Sequence, residues 1–236
     1  MEDRIIVAEY PKSGGTWLVS LMGSALSFPK RDIYHDDNNI QYDLSNHFWY
    51  RGAASYGLTS QCVIKSHELP NSVLHDFVAD YIHLYRDGRD VVVSKYFYEK
   101  DFSVKNGLLG EFNVPFDIFL EKTAIEWSRF VLEWIETNAM QISYEALLKN
   151  THKELVSIFK YLEANDKHLD IAEAITSNSK LNMRKELSSM FSYNTFVRKG
   201  VSGDWKNYFN HKHKELFKEI AGDSLIKLNY EGSNDW

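Results

Sequence analysis

At 236 residues and 27.5 kDa the chain is long for one domain and short for two, so a single α/β-sized domain spanning 1–236 is the expectation. Its 44% hydrophobic and 25% charged content is globular, and the single Cys62 excludes an internal disulfide and a cysteine-based zinc site. With 27 Lys+Arg against 33 Asp+Glu, the net charge of −6 argues against a general binder of nucleic acid or of anionic membranes.

A domain of this size buries roughly 70% of its unfolded surface and needs no disulfide or metal to fold. The lone cysteine fits a reducing compartment. No apolar run approaches the roughly 20 residues of a membrane span. Met1-Glu2-Asp3-Arg4 is not the start of a charged-then-apolar leader. A soluble, cytoplasmic protein is the expectation.

Ile5 to Tyr10 is a β-rich apolar run bounded by Pro11 and Gly14-Gly15, which predicts a strand and then a loop. Trp17, Leu18, Leu21, Met22, Ala25 and Leu26 recur at helical spacing, with Thr16 at the helix start. Residues 28–60 show no clean period and read as loops and short helical pieces. Gln61 to Ile64 is a second strand ending at Lys65-Ser66-His67, Leu74 to Phe77 a short helix, and Tyr81 to Tyr85 a third strand. A helix is expected from Asp90, a good N-cap type, to Tyr98.

Residues 100–114 read as loop, and Pro115 opens a long helix whose apolar stripe includes Phe119, Trp127 and Trp134. Met140 to Tyr144 is a fourth strand. Thr151-x-x-Glu154 is a capping-box start to a helix, and another helix covers Asp170 to Thr176. Phe196 to Phe209 reads as loop, about 212 to 221 as a terminal helix, and Asn229 to Trp236 as frayed. Strands alternating with helices predict a three-layer α/β/α fold with a central, mainly parallel sheet. Ligands of such sheets sit at the carboxyl ends of the strands.

Three strand-end features carry chemistry. In Pro11-Lys12-Ser13-Gly14-Gly15-Thr16-Trp17, glycines let backbone N–H groups converge and the following helix adds partial positive charge, to which Lys12 adds a full one. This is a P-loop-like anion cradle but not a Walker A loop, because Lys precedes the glycines. An ordinary turn with a surface lysine has the same composition. Arg86 and Ser94 can meet on one oxyanion, although Arg86-Asp87-Gly88-Arg89-Asp90 taken alone can equally pair with itself. Arg198-Lys199-Gly200 begins a cationic, glycine-containing loop that can fold over an anion or lie open on the surface.

Together these blocks resemble the cytosolic-type sulfotransferases, which transfer a sulfuryl group from 3′-phosphoadenosine 5′-phosphosulfate (PAPS) and leave 3′-phosphoadenosine 5′-phosphate (PAP). The family's 5′-phosphosulfate loop reads Tyr-Pro-Lys-Ser-Gly-Thr-Thr-Trp. It corresponds to Tyr10–Trp17, with Gly15 in place of the first Thr. Arg86 and Ser94 match the 3′-phosphate segment, and Arg198 to Asn207 matches Arg-Lys-Gly-x-x-Gly-Asp-Trp-Lys-Asn throughout.

The resemblance implies that Lys12 stabilises the leaving group and that Ser13, Gly14, Gly15 and Thr16 bind the 5′-phosphate. Trp17 would stack on adenine, with Tyr144 nearby. Arg86, Ser94, Arg198, Lys199 and Gly200 would hold the 3′-phosphate. His67, two residues after Lys65, fits the family's general base, and Lys65 suits the sulfonate oxygens. A near-neutral imidazole suits deprotonation of an acceptor, and a fixed ammonium suits charge developing on the bridging oxygen.

No metal is required by this chemistry. The expected partner is a small-molecule acceptor, with no nucleic acid and no membrane. Aromatics at Tyr34, Tyr42, Phe48, Trp49, Tyr98 and Phe102 favour a flat or phenolic acceptor, whereas Asp36 and Asp37 favour a cationic one. Besides Gly15, two further departures from the family stand out. Its Thr-Ser-Phe is replaced by Ser177-Asn178-Ser179-Lys180, and its dimer motif loses Thr-Val in Lys206 to Glu215, so no oligomeric state follows. The cradle begins ten residues in, which reads as a trimmed member of the family. Two alternatives are an inactive PAPS-binding protein and a P-loop kinase, the latter without its Walker lysine or a magnesium carboxylate.

Overall fold

The computed structural model describes residues 4–36, 39–41, 61–71, 78–164, 169–190 and 198–236. In chain order they form β1 (Arg4–Glu9), α1 (Gly15–Leu26), β2 (Lys30–Asp36), β3 (Asn39–Gln41), β4 (Cys62–Ser66), β5 (Asp80–Tyr85), α2 (Gly88–Phe97), α3 (Phe116–Ile135), β6 (Met140–Ser143), α4 (Tyr144–Lys149), α5 (Thr151–Tyr161), α6 (Ile171–Ser177), α7 (Lys180–Met190) and α8 (His211–Lys227). The expected helix Leu74–Phe77 and the residues Asp37, Tyr42, Phe48, Trp49 and Phe196 lie outside the described residues, as do the side chains of Tyr34 and Asp36. The chain divides into two units, Met1–Tyr85 with Glu133–Asn178 and Arg86–Leu132 with Ser179–Trp236.

The first unit holds a six-stranded sheet in the order β3-β2-β4-β1-β5-β6. Every pairing is parallel except β2 with β3. Ile5, Ile6, Val7 and Ala8 are wholly buried, as a central parallel strand covered on both faces requires. Ile5, Val7, Val63, Ile82 and Leu84 share one core with Leu18 and Leu21 of α1 and Ile158 of α5. Each such side chain contributes about 1.5–3 kcal/mol by leaving water. On β5 the alternate residue His83 stacks on Trp134, at the C-terminal end of α3, with ring centroids 5.9 Å apart. Helices therefore cover both faces of the sheet, as the alternating pattern predicted.

Several local expectations are corrected. Residues 30–41 contain two strands rather than loops. β3 is an edge strand, and Lys-Arg-Asp-Ile-Tyr-His-Asp in β2 gives no apolar run. The fourth strand ends at Ser143, and Tyr144 instead opens a short helix, α4, capped by the Ser143 hydroxyl, which accepts the Ala146 N–H. α5 is capped by Asn150, which accepts the Lys153 N–H, so the Thr151 capping box does not form. Thr151 Oγ1 instead donates to the Leu147 carbonyl.

In the second unit α2 starts at Gly88 with Asp87 as its cap, not Asp90. Its end widens into a π-helical turn, Tyr98–Ser103, where a loop was expected. The segment after α8 is not frayed. Arg89 is 3% exposed, and its guanidinium lies 4.2 Å from the Trp205 ring centroid and 4.3 Å from that of Trp236. Its Nη1 donates to Glu231 at 2.5 Å.

Candidate active site

The loop after β1 turns sharply because two residues adopt left-handed backbone: Lys12 (φ 76°) and Gly14 (φ 107°). Only glycine suits position 14, since a β-carbon there would meet the Tyr144 ring at 2.6 Å. Lys12 holds a conformation that L-residues rarely adopt, of the kind concentrated at functional sites. Ser13 is fully buried, and among the described residues its hydroxyl has no hydrogen-bond partner. A buried, unsatisfied donor in a turn that opens α1 fits an anionic oxygen. Thr16 is buried in the first turn of α1.

Trp17 and Tyr144 stand edge to face with ring centroids 6.2 Å apart. The Trp17 indole N–H donates to the Asn178 carbonyl at 3.1 Å. Asn178 is itself held by its side chain, which donates to Ser24 Oγ (2.9 Å) and to the Ala174 carbonyl (2.8 Å). Asn178 lies in the stretch that departs from the family's Thr-Ser-Phe, and sequence reading attached no role to it.

Glu9 was also missed, because the end of a buried strand gives no signal for a carboxylate. It is 3% exposed, and its carboxylate accepts the Gly15 N–H at 2.5 Å. Its own backbone carbonyl lies 2.9 Å from His67 Nδ1. A carbonyl only accepts, so Nδ1 carries the proton and Nε2 keeps its lone pair. That is the tautomer a general base needs.

β1 and β4 run in parallel with Val7 opposite Lys65 and Ala8 opposite Ser66, which brings Lys65 and His67 to the strand ends beside the cradle. The turn carrying His67 is pinned on its far side. Glu68 N–H donates to Ser66 Oγ at 3.1 Å, and the Glu68 carbonyl accepts the Trp134 indole N–H at 3.1 Å.

The second unit carries the other candidate residues. Arg86 is 8% exposed and donates through Nη2 to the Val201 carbonyl at 2.9 Å. The charged segment does pair with itself in part: Arg89 binds Asp87 at 2.8 Å, and Arg86 lies 3.7 Å from Asp90. Asp90 also accepts the N–H groups of Gly203 (2.7 Å) and Trp205 (2.9 Å), pinning the signature loop to α2. Burial raises the Asp90 carboxyl above the usual range, against the opposing pull of Arg86 and of the Trp205 N–H. Ser94 lies half-buried in the second turn of α2.

Arg198 Nη2 and Lys199 Nζ donate to the two oxygens of Asp204 at 2.7 and 2.6 Å. Burial works to raise the Asp204 carboxyl, but hydrogen bonds from Lys199, Asn207 and Arg198 outweigh it and hold the group low. Asp204 thus stays ionised and keeps both cations in one place. Gly200 follows them with φ 61°.

Among the described residues no group of three or more His, Cys, Asp or Glu is placed to hold a metal ion. Nor is any described helix long and apolar enough to cross a membrane.

Known proteins resemble this chain in sequence and in fold. Sulfotransferase 2A1 of Homo sapiens is 26% identical over 256 residues, spanning 96% of this chain and 86% of that protein. Sulfotransferase 1B1 of Mus musculus is 29% identical over 252 residues, spanning 94% and 84%. The crystal structure of mouse sulfotransferase SULT7A1 complexed with PAP has the same fold, with a TM-score of 0.70, 23% identity, and coverage of 95% of this chain and 86% of that one. The family model described as "Sulfotransferase domain" matches residues 2–229, and the chain belongs to that family.

Proposed function

We propose that this chain transfers a sulfuryl group from PAPS to a hydroxyl or amine of a small-molecule acceptor, with His67 as general base. The observation that carries the reading is the bond between His67 Nδ1 and the Glu9 carbonyl. It leaves a basic Nε2 at the strand end next to the anion cradle. The PAP held by the mouse relative supports the choice of donor.

PAPS supplies an activated sulfuryl group with a phosphate as leaving group. The chain's residues do the rest. His67 Nε2 takes the proton from the attacking acceptor oxygen or nitrogen, which makes that atom nucleophilic. Lys12 faces the bridging oxygen and offsets the negative charge that grows there as the sulfur–oxygen bond breaks. Lys65 binds the sulfonate oxygens. Ser13, Gly14, Gly15 and Thr16 hold the 5′-phosphate, with the α1 N-terminus adding to the field. Trp17 and Tyr144 flank the adenine. Arg86, Ser94, Arg198, Lys199 and Gly200 take the 3′-phosphate. The protein acts in the cytoplasm as a soluble enzyme.

Incubation with radiolabelled PAPS and a panel of phenols, alcohols and amines tests the reading. Label should move to at least one acceptor without added magnesium. Tight PAP binding with no transfer to any acceptor would mark a binding protein, and magnesium-dependent phosphorylation from ATP would mark a kinase.

A further inference from the structure

α7 was not expected from the sequence, and its first turns bring two cations onto the signature loop. Arg184 Nη2 donates to the Arg198 carbonyl at 2.8 Å, and Lys180 Nζ donates to the Lys199 carbonyl. Arg86 holds the Val201 carbonyl in the same way. Three of the four carbonyls from 198 to 201 are therefore held by cations. Lys180 also runs alongside the next residue, since a β-carbon at Gly200 would lie 3.5 Å from its Cε.

We propose that Lys180 and Arg184 are positioning residues for the 3′-phosphate of the donor, acting through the backbone of 198–200. The inference rests on the PAPS reading above. In a trans peptide the C=O of one residue and the N–H of the next point in opposite directions. Fixing the carbonyls of Arg198 and Lys199 toward α7 therefore aims the N–H groups of Lys199 and Gly200 away from it. Gly200, at φ 61°, takes the left-handed backbone that supplies one half of an anion-binding nest. A cation on each carbonyl also polarises the amide and strengthens the N–H donor on its far side.

The Lys180 side chain bears a cost that favours this reading over scattered surface charge. Desolvation lowers the Lys180 ammonium, and the neighbouring positive Arg184 lowers it further. An additional anion beside them would relieve that repulsion. One of the two cations, Lys180, lies in the stretch where the family carries Thr-Ser-Phe, and Arg184 follows one helical turn later.

The test compares PAP with adenosine 5′-monophosphate (AMP), which lacks only the 3′-phosphate, by calorimetric titration of the full chain. The variants are the double substitution Lys180→Gln with Arg184→Gln, and the conservative pair Lys180→Arg with Arg184→Lys. The glutamine double variant should lose about tenfold or more in PAP affinity, the scale of one or two charge-assisted hydrogen bonds. Its AMP affinity should stay within about twofold, and the conservative variant should keep PAP within about threefold. Unchanged PAP affinity in the glutamine variant would overturn the inference. Equal losses for PAP and AMP would overturn it too, because they would mean general loosening rather than a 3′-phosphate effect. If the wild-type chain itself fails to prefer PAP over AMP, the PAPS reading falls before any variant is made.

Discussion

The Glu9 carboxylate accepts the Gly15 N–H at 2.5 Å, and a β-carbon at Gly15 would lie 2.3 Å from the Glu9 carboxyl carbon. The glycine that departs from the family's threonine thus leaves room for a buried acid. The same Glu9 presents its carbonyl to His67. One residue therefore ties the cradle to the base.

Gly15→Thr should destabilise this chain by about 2 kcal/mol or more, because the new side chain overpacks a buried carboxylate. Adding Glu9→Ala should recover much of the loss. Urea unfolding of both single variants and the double variant measures the coupling. Additive losses would show that the two residues do not share the space.

Trp236→Ala should cost about 1–2 kcal/mol, since it removes both apolar burial and one face of the aromatic sandwich around Arg89. Thermal unfolding reads this as a fall in Tm. No change would mean that the segment after α8 does not support Arg89.

His83 provides a pH signature. Burial lowers its imidazole to about 4, despite the opposing hydrogen bond with Gln141. The folded pKa lies below the unfolded value, so the unfolded chain binds the extra proton between them. Its contribution is fully present above about pH 6.5 and is lost as pH falls toward 4, on the order of 3 kcal/mol in all. The fall in unfolding free energy from pH 7 to pH 4.5 should be smaller in His83→Gln than in the wild type. An identical slope in both would remove His83 as a source of acid sensitivity.

Arg198→Ala should weaken PAP binding by roughly 10- to 100-fold, the range for losing a hydrogen bond to a charged group. It should leave His67 and the cradle loop in place. Unchanged nucleotide affinity would take Arg198 out of the 3′-phosphate site.

Much of this was legible from local pattern. β1, β4, β5 and β6 announce themselves because each carries buried apolar residues within a short run, such as Ile5 to Ala8, Val63 and Ile64, Ile82 and Leu84, and Ile142. The cradle and signature loops are legible because chemistry there depends on residue type in a short stretch. What was not legible depends on partners distant in sequence. Asp90 looks like a helix cap, yet it serves Gly203 and Trp205. Glu9 reads as a strand end, and its carbonyl meets His67 only once β1 and β4 pair. β2 pairs with β4 through its backbone, which a composition of charged residues conceals. The packed tail escaped notice because Trp236 needs Arg89, a buried cation that no periodicity reveals.

His67→Ala, measured side by side for sulfuryl transfer and for PAP affinity, tests the central claim most directly. Transfer from radiolabelled PAPS should fall by about 10²–10⁴-fold, the usual contribution of a general base, while PAP affinity stays within a few-fold of wild type. Turnover retained at the wild-type rate would contradict it and remove His67 from the mechanism.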